Sequence, residues 1–278
     1  MRLSRILNLI ATRLILSIIT VVLLPSCSGT EKEIHILEPR TYPFESGRLV
    51  DMQLDSGQVT ITNGESGQMV LSGEARLPHP DDLLVTLDLN GVTIRTDSPE
   101  SFLNLNLQVP TGTQVKVHTY NAEVIVQDFS GNLDVTSAAG DILIDHMEGL
   151  AVLRVNRGDV LIEASQGEFH LPGNYGLLSL TDVSGIIEAS TIMGTIRYRG
   201  RVDASDQVKL ETDHGPVEAW LNPDSDVTVV VRTTTGVVDC VIPGLSPQGA
   251  GCAGRMGTGE GLLQVRTVSG EVDLESTP

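Results

Sequence analysis

The sequence predicts an all-β fold, and within that class a parallel β-solenoid of strand–turn units about nine residues long. Three observations predict it. Eight glycines stand nine residues apart, at Gly131, Gly140, Gly149, Gly158, Gly167, Gly176, Gly185 and Gly194. The residues two and four positions after each are mostly apolar. They run Leu133 and Val135, Ile142 and Ile144, Ala151 and Leu153, Val160 and Ile162, then Phe169 and Leu171, Leu178 and Leu180, Ile187 and Ala189, Ile196 and Tyr198. Gly, Val, Ile, Leu, Thr and Asp dominate, the palette of short strands and tight turns, and no stretch beyond residue 28 carries a long helical period.

The elements follow in chain order. Arg2, Arg5 and Arg13 stand among short apolar stretches, and an apolar-rich run, LILSIITVVLL, occupies residues 14–24. A basic segment, an apolar core and small residues are the layout of a secretory signal over residues 1–27. The run is shorter than the roughly 20 residues a membrane helix needs. Extending it back past Arg13 would bury a guanidinium, so an uncleaved anchor is the alternative. The run ends in Leu24-Pro25-Ser26-Cys27, which resembles the lipobox of bacterial lipoproteins, with Leu three before and a small residue directly before a Cys. Pro25 stands where that motif usually has a small residue. The resemblance implies that Cys27 is diacylated and becomes the mature N-terminus. Two acyl chains, at ~0.8 kcal/mol per buried CH₂, would hold the protein at a membrane. A plain secreted protein with an incidental Cys27 is the other reading.

Residues 28–45, polar and proline-containing, are expected to be a tether, and residues 46–278 the β-strand-repeat domain. From Ser46, short alternating runs take over, such as Gln58-Val59-Thr60-Ile61, Met69-Val70-Leu71 and Val92-Thr93-Ile94. Their period of two marks half-buried strands. Spacing is less regular before residue 115, so this section is expected to cap the stack with longer or antiparallel strands. The strict register begins with Ala122, Val124 and Val126. After a slip near Gly200 it resumes as Gly215 with Val217 and Ala219, Gly236 with Val238 and Cys240, and Gly270 with Val272 and Leu274.

Each unit reads as a strand of about five residues plus a turn of about four. The glycine slot supplies a positive φ or a close chain approach. One unit buries too little apolar surface to stand alone, so neighbours must stack. Two units per coil would give a two-sided, 18-residue coil with coils about 4.8 Å apart. The alternative is an antiparallel β-sandwich or meander, which strands at about 8–12-residue spacing also suit. The absence of the Asn-Gly hairpin pattern favours the solenoid.

With Cys27 assigned to lipid, Cys240 and Cys252 remain, and an even remainder in an exported chain reads as a disulfide. A metal pair is the alternative, with no His beside either Cys to support it.

The units SAAGDILI, NRGDVLIEAS, TTTGVVDC and RTVSGEVDLES, with the earlier LNLQVPTGTQVKVHTYNAEVIV, resemble the bacterial putative-adhesin family of β-strand-repeat domains. The resemblance covers roughly residues 46–276. It implies a β-solenoid at the cell envelope and supplies no motif-defined catalytic residues.

The remaining chemistry narrows the function classes. A net charge of −18 argues against nucleic acid, whose phosphates need Lys and Arg. Aromatics are 3% of the chain, so stacking platforms are scarce. Arg157-Gly158-Asp159 spells a cell-attachment tripeptide, yet the repeat itself generates its Gly and acidic letters. Asp134, Asp141, Asp145, Asp159, Glu163 and Glu168 recur at turns without a calcium-loop pattern, and read as a solvated acidic face. The six His (His35, His79, His118, His146, His170 and His214) are scattered without ligand spacing, so no metal or cofactor is expected. No G-x-S-x-G elbow is present. A carboxylate-paired polysaccharide-cleaving enzyme would want sugar-stacking aromatics and long loops, where this chain has Trp220 alone and short turns. The expectation is a non-enzymatic, envelope-anchored surface binding or adhesion scaffold. Its partners would be the membrane, through the lipid anchor, and an unidentified protein or polymer. The alternative is an envelope structural or signalling accessory, and the remote one a polysaccharide-active β-helical enzyme.

Overall fold

Alternation of side chains across a strand makes every second residue available to a common interior, and the whole molecule is built on that rule. The structure, a computed structural model, describes residues 33–77, 79–89, 91–96 and 101–277; the signal segment and Cys27 lie outside them. Among the described residues there is no α-helix, only one 3₁₀ turn at Pro80–Asp82. The first strands are β1 (Glu33–Pro43), β2 (Leu49–Asn63), β3 (Gln68–Leu77), β4 (Leu83–Leu87), β5 (Gly91–Thr96) and β6 (Phe102–Val109). The repeats form β7 (Thr113–Ala139), β8 (Ile142–Arg157), β9 (Val160–Glu163), β10 (Gln166–Thr181), β11 (Ser184–Thr191), β12 (Met193–Gly200), β13 (Gln207–His214) and β14 (Val217–Leu221). The chain ends with β15 (Val227–Thr233), β16 (Val237–Cys240), β17 (Leu245–Pro247), β18 (Gly251–Met256), β19 (Gly261–Ser269) and β20 (Glu271–Ser276).

These strands make one large mixed sheet, parallel through the repeats and antiparallel at both ends. Between residues 124 and 199 each strand residue pairs with the one eighteen positions on. Gly131 is opposite Gly149, Gly149 opposite Gly167 and Gly167 opposite Gly185. In the same way Ile142 is opposite Val160, and Gly176 opposite Gly194. The chain therefore visits two ladders in turn. Ladder A takes the segments beginning at Gly131, Gly149, Gly167 and Gly185, and continues through β13, β19 and β15. Ladder B takes the segments beginning at Gly140, Gly158, Gly176 and Gly194, and continues through β14, β20 and β16.

All sixteen apolar partners of the eight glycines, from Leu133 to Tyr198, are buried, none more than 3% exposed. They belong to a single cluster to which both ladders contribute. Burying an aliphatic side chain contributes about 1.5–3 kcal/mol, and each pair of successive repeats adds four such positions to its neighbours. The glycines are required by contact between neighbouring strands of a ladder. A Cβ on Gly167 would stand 1.9 Å from the carbonyl oxygen of Gly149, and one on Gly131 would stand 2.4 Å from that of Thr113. Gly167 also has φ +148, outside the range of ordinary L-residues, whereas Gly131 is needed for close approach alone.

The two turns that link the ladders differ. On the way into ladder A, the residue three before each glycine is left-handed: Asp128 (φ 48), His146 (φ 55), Ala164 (φ 45) and Asp182 (φ 53). The next residue turns inward, as Phe129, Met147, Ser165 and Val183 do. On the way into ladder B, a small hydroxyl residue is often buried three before the glycine, as with Ser137, Thr191, Thr212 and Thr267. The physical repeat is thus eighteen residues, made of two unlike halves.

Both ends depart from chain order. In ladder A, β19 lies between β13 and β15, and in ladder B, β20 lies between β14 and β16. The last strands of the sequence are therefore interior strands. At the other end β2 lies between β7 on one side and β5 and β6 on the other. Antiparallel strands finish the ladders: β4 on β5, β3 and then β1 on β6, and β18 and then β17 on β15.

One expectation needs correction. Residues 28–45 are not wholly a tether, because residues 33–43 form β1, antiparallel to β3. The register shifts between Leu37 and Arg40, across Pro39, and this bulge breaks the alternation that would have marked the strand. Val238 and Cys240, read as inward, are only partly buried, since β16 is an edge strand paired to β20 alone.

Candidate functional site

Outward residues of both ladders fall into rows, because in-register parallel strands repeat every ~4.8 Å. On ladder A one row places His170 beside Glu188, followed by Lys209 and Gln264. His170 Nε2 is 2.7 Å from Glu168 and Nδ1 is 3.1 Å from Glu188. The Glu168 hydrogen bond, with help from Glu188 and against some desolvation, raises the imidazole pKa above its ordinary 6.5. Lys209 is held 3.0 Å from Glu211, and Arg154 2.7 Å from Asp134. Exposed pairs of this kind contribute little stability, about 0–1 kcal/mol each, but they fix the charge pattern of the face.

On ladder B the outward row begins with the partly exposed aliphatic residues Ile125, Leu143 and Leu161, then Ser179, Arg197 and Glu218. Beside it run Thr181, Arg199, Trp220 and Glu275. A cavity of about 320 Å³ opens here, lined by Ser179, Thr181, Arg197, Arg199 and Trp220 among others. Arg197 Nε donates to Glu218 at 2.7 Å, and the Trp220 indole N–H donates to Glu275 at 3.2 Å. Further along, burial and the neighbouring carboxylates Glu271, Asp239, Glu218 and Glu275 raise the Asp273 pKa.

The residues singled out by sequence fall in different places. Cys27 lies outside the described residues. Cys240 and Cys252 form a disulfide with a Cα–Cα distance of 6.7 Å, joining β16 to β18. The Asp159 carboxylate of Arg157-Gly158-Asp159 accepts from Leu177 N at 2.8 Å, and Asp159 N donates to Asp141 Oδ1 at 2.9 Å. These two aspartates tie consecutive strands of ladder B. Asp145 contacts His146 at 2.7 Å, also locally. Among the described residues no group of three His, Cys, Asp or Glu is placed to hold a metal ion.

Sequence reasoning missed the Trp220 cavity. Its outward position was legible, since Val217, Ala219 and Leu221 alternate with Glu218 and Trp220 and are fully buried. Its neighbours were not, because Arg199 and Glu275 are 21 and 55 residues away along the chain.

No family model and no curated protein matches the chain. Solved structures do. One, described as a putative adhesin from Bacteroides fragilis NCTC 9343, is 13% identical with a TM-score of 0.50, covering 88% of this chain and 98% of that one. Another, a putative adhesin from Parabacteroides merdae ATCC 43184, is 10% identical with a TM-score of 0.45, covering 87% and 96%. A putative lipid binding protein from Parabacteroides distasonis ATCC 8503 is 9% identical with a TM-score of 0.40, covering 87% and 96%. At such identities the likeness to the Bacteroides fragilis protein is one of fold.

Proposed function

We propose that the chain is a non-enzymatic, envelope-anchored binding scaffold, a two-sided β-solenoid carried on a lipid-modified Cys27 that offers its strand faces to a protein or polymer. The observation that carries this reading is the in-register parallel pairing at eighteen residues. It aligns outward side chains in rows on a rigid sheet, suited to contacting an extended partner at many points. The fold of the Bacteroides fragilis adhesin-like protein and the signal-and-lipobox layout of residues 1–27 support it. Two experiments on the full-length exported protein test it. Cys27→Ala is expected to abolish fatty-acid labelling; labelling that persists removes the anchor. Photo-crosslinkers at Ser179 and Glu188, one on each ladder, are expected to capture a discrete partner on intact cells. Failure at both positions, with the protein present at the envelope, overturns the scaffold.

A further inference from the structure

We infer that the Trp220 cavity on ladder B is a subsite for one unit of an uncharged saccharide. The inference rests on the scaffold reading and names its ligand chemistry. Trp220 is the only tryptophan of the chain, and it occupies an outward position in a sheet whose other outward residues are mostly polar or charged. Its strand neighbours in register are Arg199 on β12 and Glu275 on β20. Glu275 accepts the indole N–H, so the ring is held in one orientation while its apolar surface lines the cavity. Arg197 is already bound by Glu218. Among the described residues Arg199 has no carboxylate partner, which leaves its five N–H donors for a ligand.

A fixed aromatic surface beside a free guanidinium, with the hydroxyls of Ser179 and Thr181 on the cavity wall, matches the chemistry of a sugar ring. Such a ring has an apolar C–H face and a rim of hydroxyls. The charge decides which sugar. Arg197 and Arg199 line the cavity, and the carboxylates of Glu218, bound to Arg197, and Glu275, bound to Trp220, stand beside it, while the chain carries −18. A polyanion that reached Arg199 would still be repelled by the rest of the molecule. The volume, about 320 Å³, is at the small end of the ~300–1,000 Å³ typical of ligand sites and suits one ring of a chain that continues along the sheet.

The test uses the tryptophan itself. Neutral hexose and pentose oligosaccharides, an oligouronate and a sulfated oligosaccharide are titrated into the exported protein, with Trp220 emission as the readout. At least one neutral oligosaccharide is expected to change the emission saturably. Arg199→Ala is expected to weaken that binding about tenfold or more, the scale of a charge-assisted hydrogen bond. Calorimetry on Trp220→Phe, which keeps an aromatic face, is expected to retain weaker binding, and Trp220→Ala to lose it. Silence with every neutral oligosaccharide, an unchanged affinity in Arg199→Ala, or tighter binding of the oligouronate or sulfated sugar overturns the inference. The scaffold reading fails separately: if partner capture on cells survives in Trp220→Ala, that reading stands without the sugar.

Discussion

At the residue scale, inside and outside are set by single steps along the chain. Ile144 is 2% exposed in the common core, whereas Leu143 beside it points outward and is partly exposed. Ile144→Ala is expected to destabilise by roughly 2–5 kcal/mol, because the cavity it leaves cannot collapse between hydrogen-bonded neighbouring strands. Leu143→Ser should cost clearly less in the same denaturant titration; equal costs would mean that alternation does not define the core. The outward residues respond to pH instead. With its folded-state pKa above the unfolded value, His170 contributes stability that is complete below about pH 6.5 and disappears as pH rises through the folded pKa. An NMR titration of His170 should show a midpoint above 6.5 that falls in Glu168→Gln. A midpoint unmoved by that change would remove Glu168 as the main cause. Burial drives the Tyr198 phenol the same way, upward, with Asp206, Asp182 and Asp203 adding to it, so its hydroxyl stays protonated in the core.

At the scale of the element, the nine-residue period turns out to be two unlike halves of an eighteen-residue repeat. Ala164 shows why the difference was hard to read: it occupies a left-handed corner, φ 45, where Asp and His serve in other repeats. Asp and His tolerate that region better than alanine does, so residue type alone did not single the position out. An L-residue held there costs about 1–2 kcal/mol, offset in a glycine variant by the greater freedom of its unfolded chain. Ala164→Gly is therefore expected to leave the melting temperature unchanged or raise it. Ala151→Gly, at a buried strand position, should lower it. Thermal melts giving the same sign at both sites would contradict the corner geometry. The strand β1 escaped notice for a related local reason, since Pro39 and the adjoining bulge disrupt the pattern that reveals the other strands.

At the scale of the whole molecule, the final strands are keystones of the C-terminal end rather than its edge. Deleting residues 261–277 would remove β19 and β20 from between β13 and β15 and between β14 and β16. Hydrogen exchange on the truncated protein should show lost protection across 207–256 and retained protection across 124–163. Protection surviving in β15 and β16 would show that the interleaving is not needed. Reducing Cys240–Cys252 should act only locally, because the bridge closes a short loop on an edge strand. The sequence by itself determined the β class, the glycine spacing, the inward residues of the regular repeats from Gly131 to Tyr198 and the pairing of the two cysteines, since each follows from local periodicity or simple counting. Tertiary structure alone decided the corner conformations, the insertion of β19 and β20, and the company of Trp220. Those depend on which distant strands become neighbours, and a period of nine repeated along the chain is the same whatever order the ends stack in.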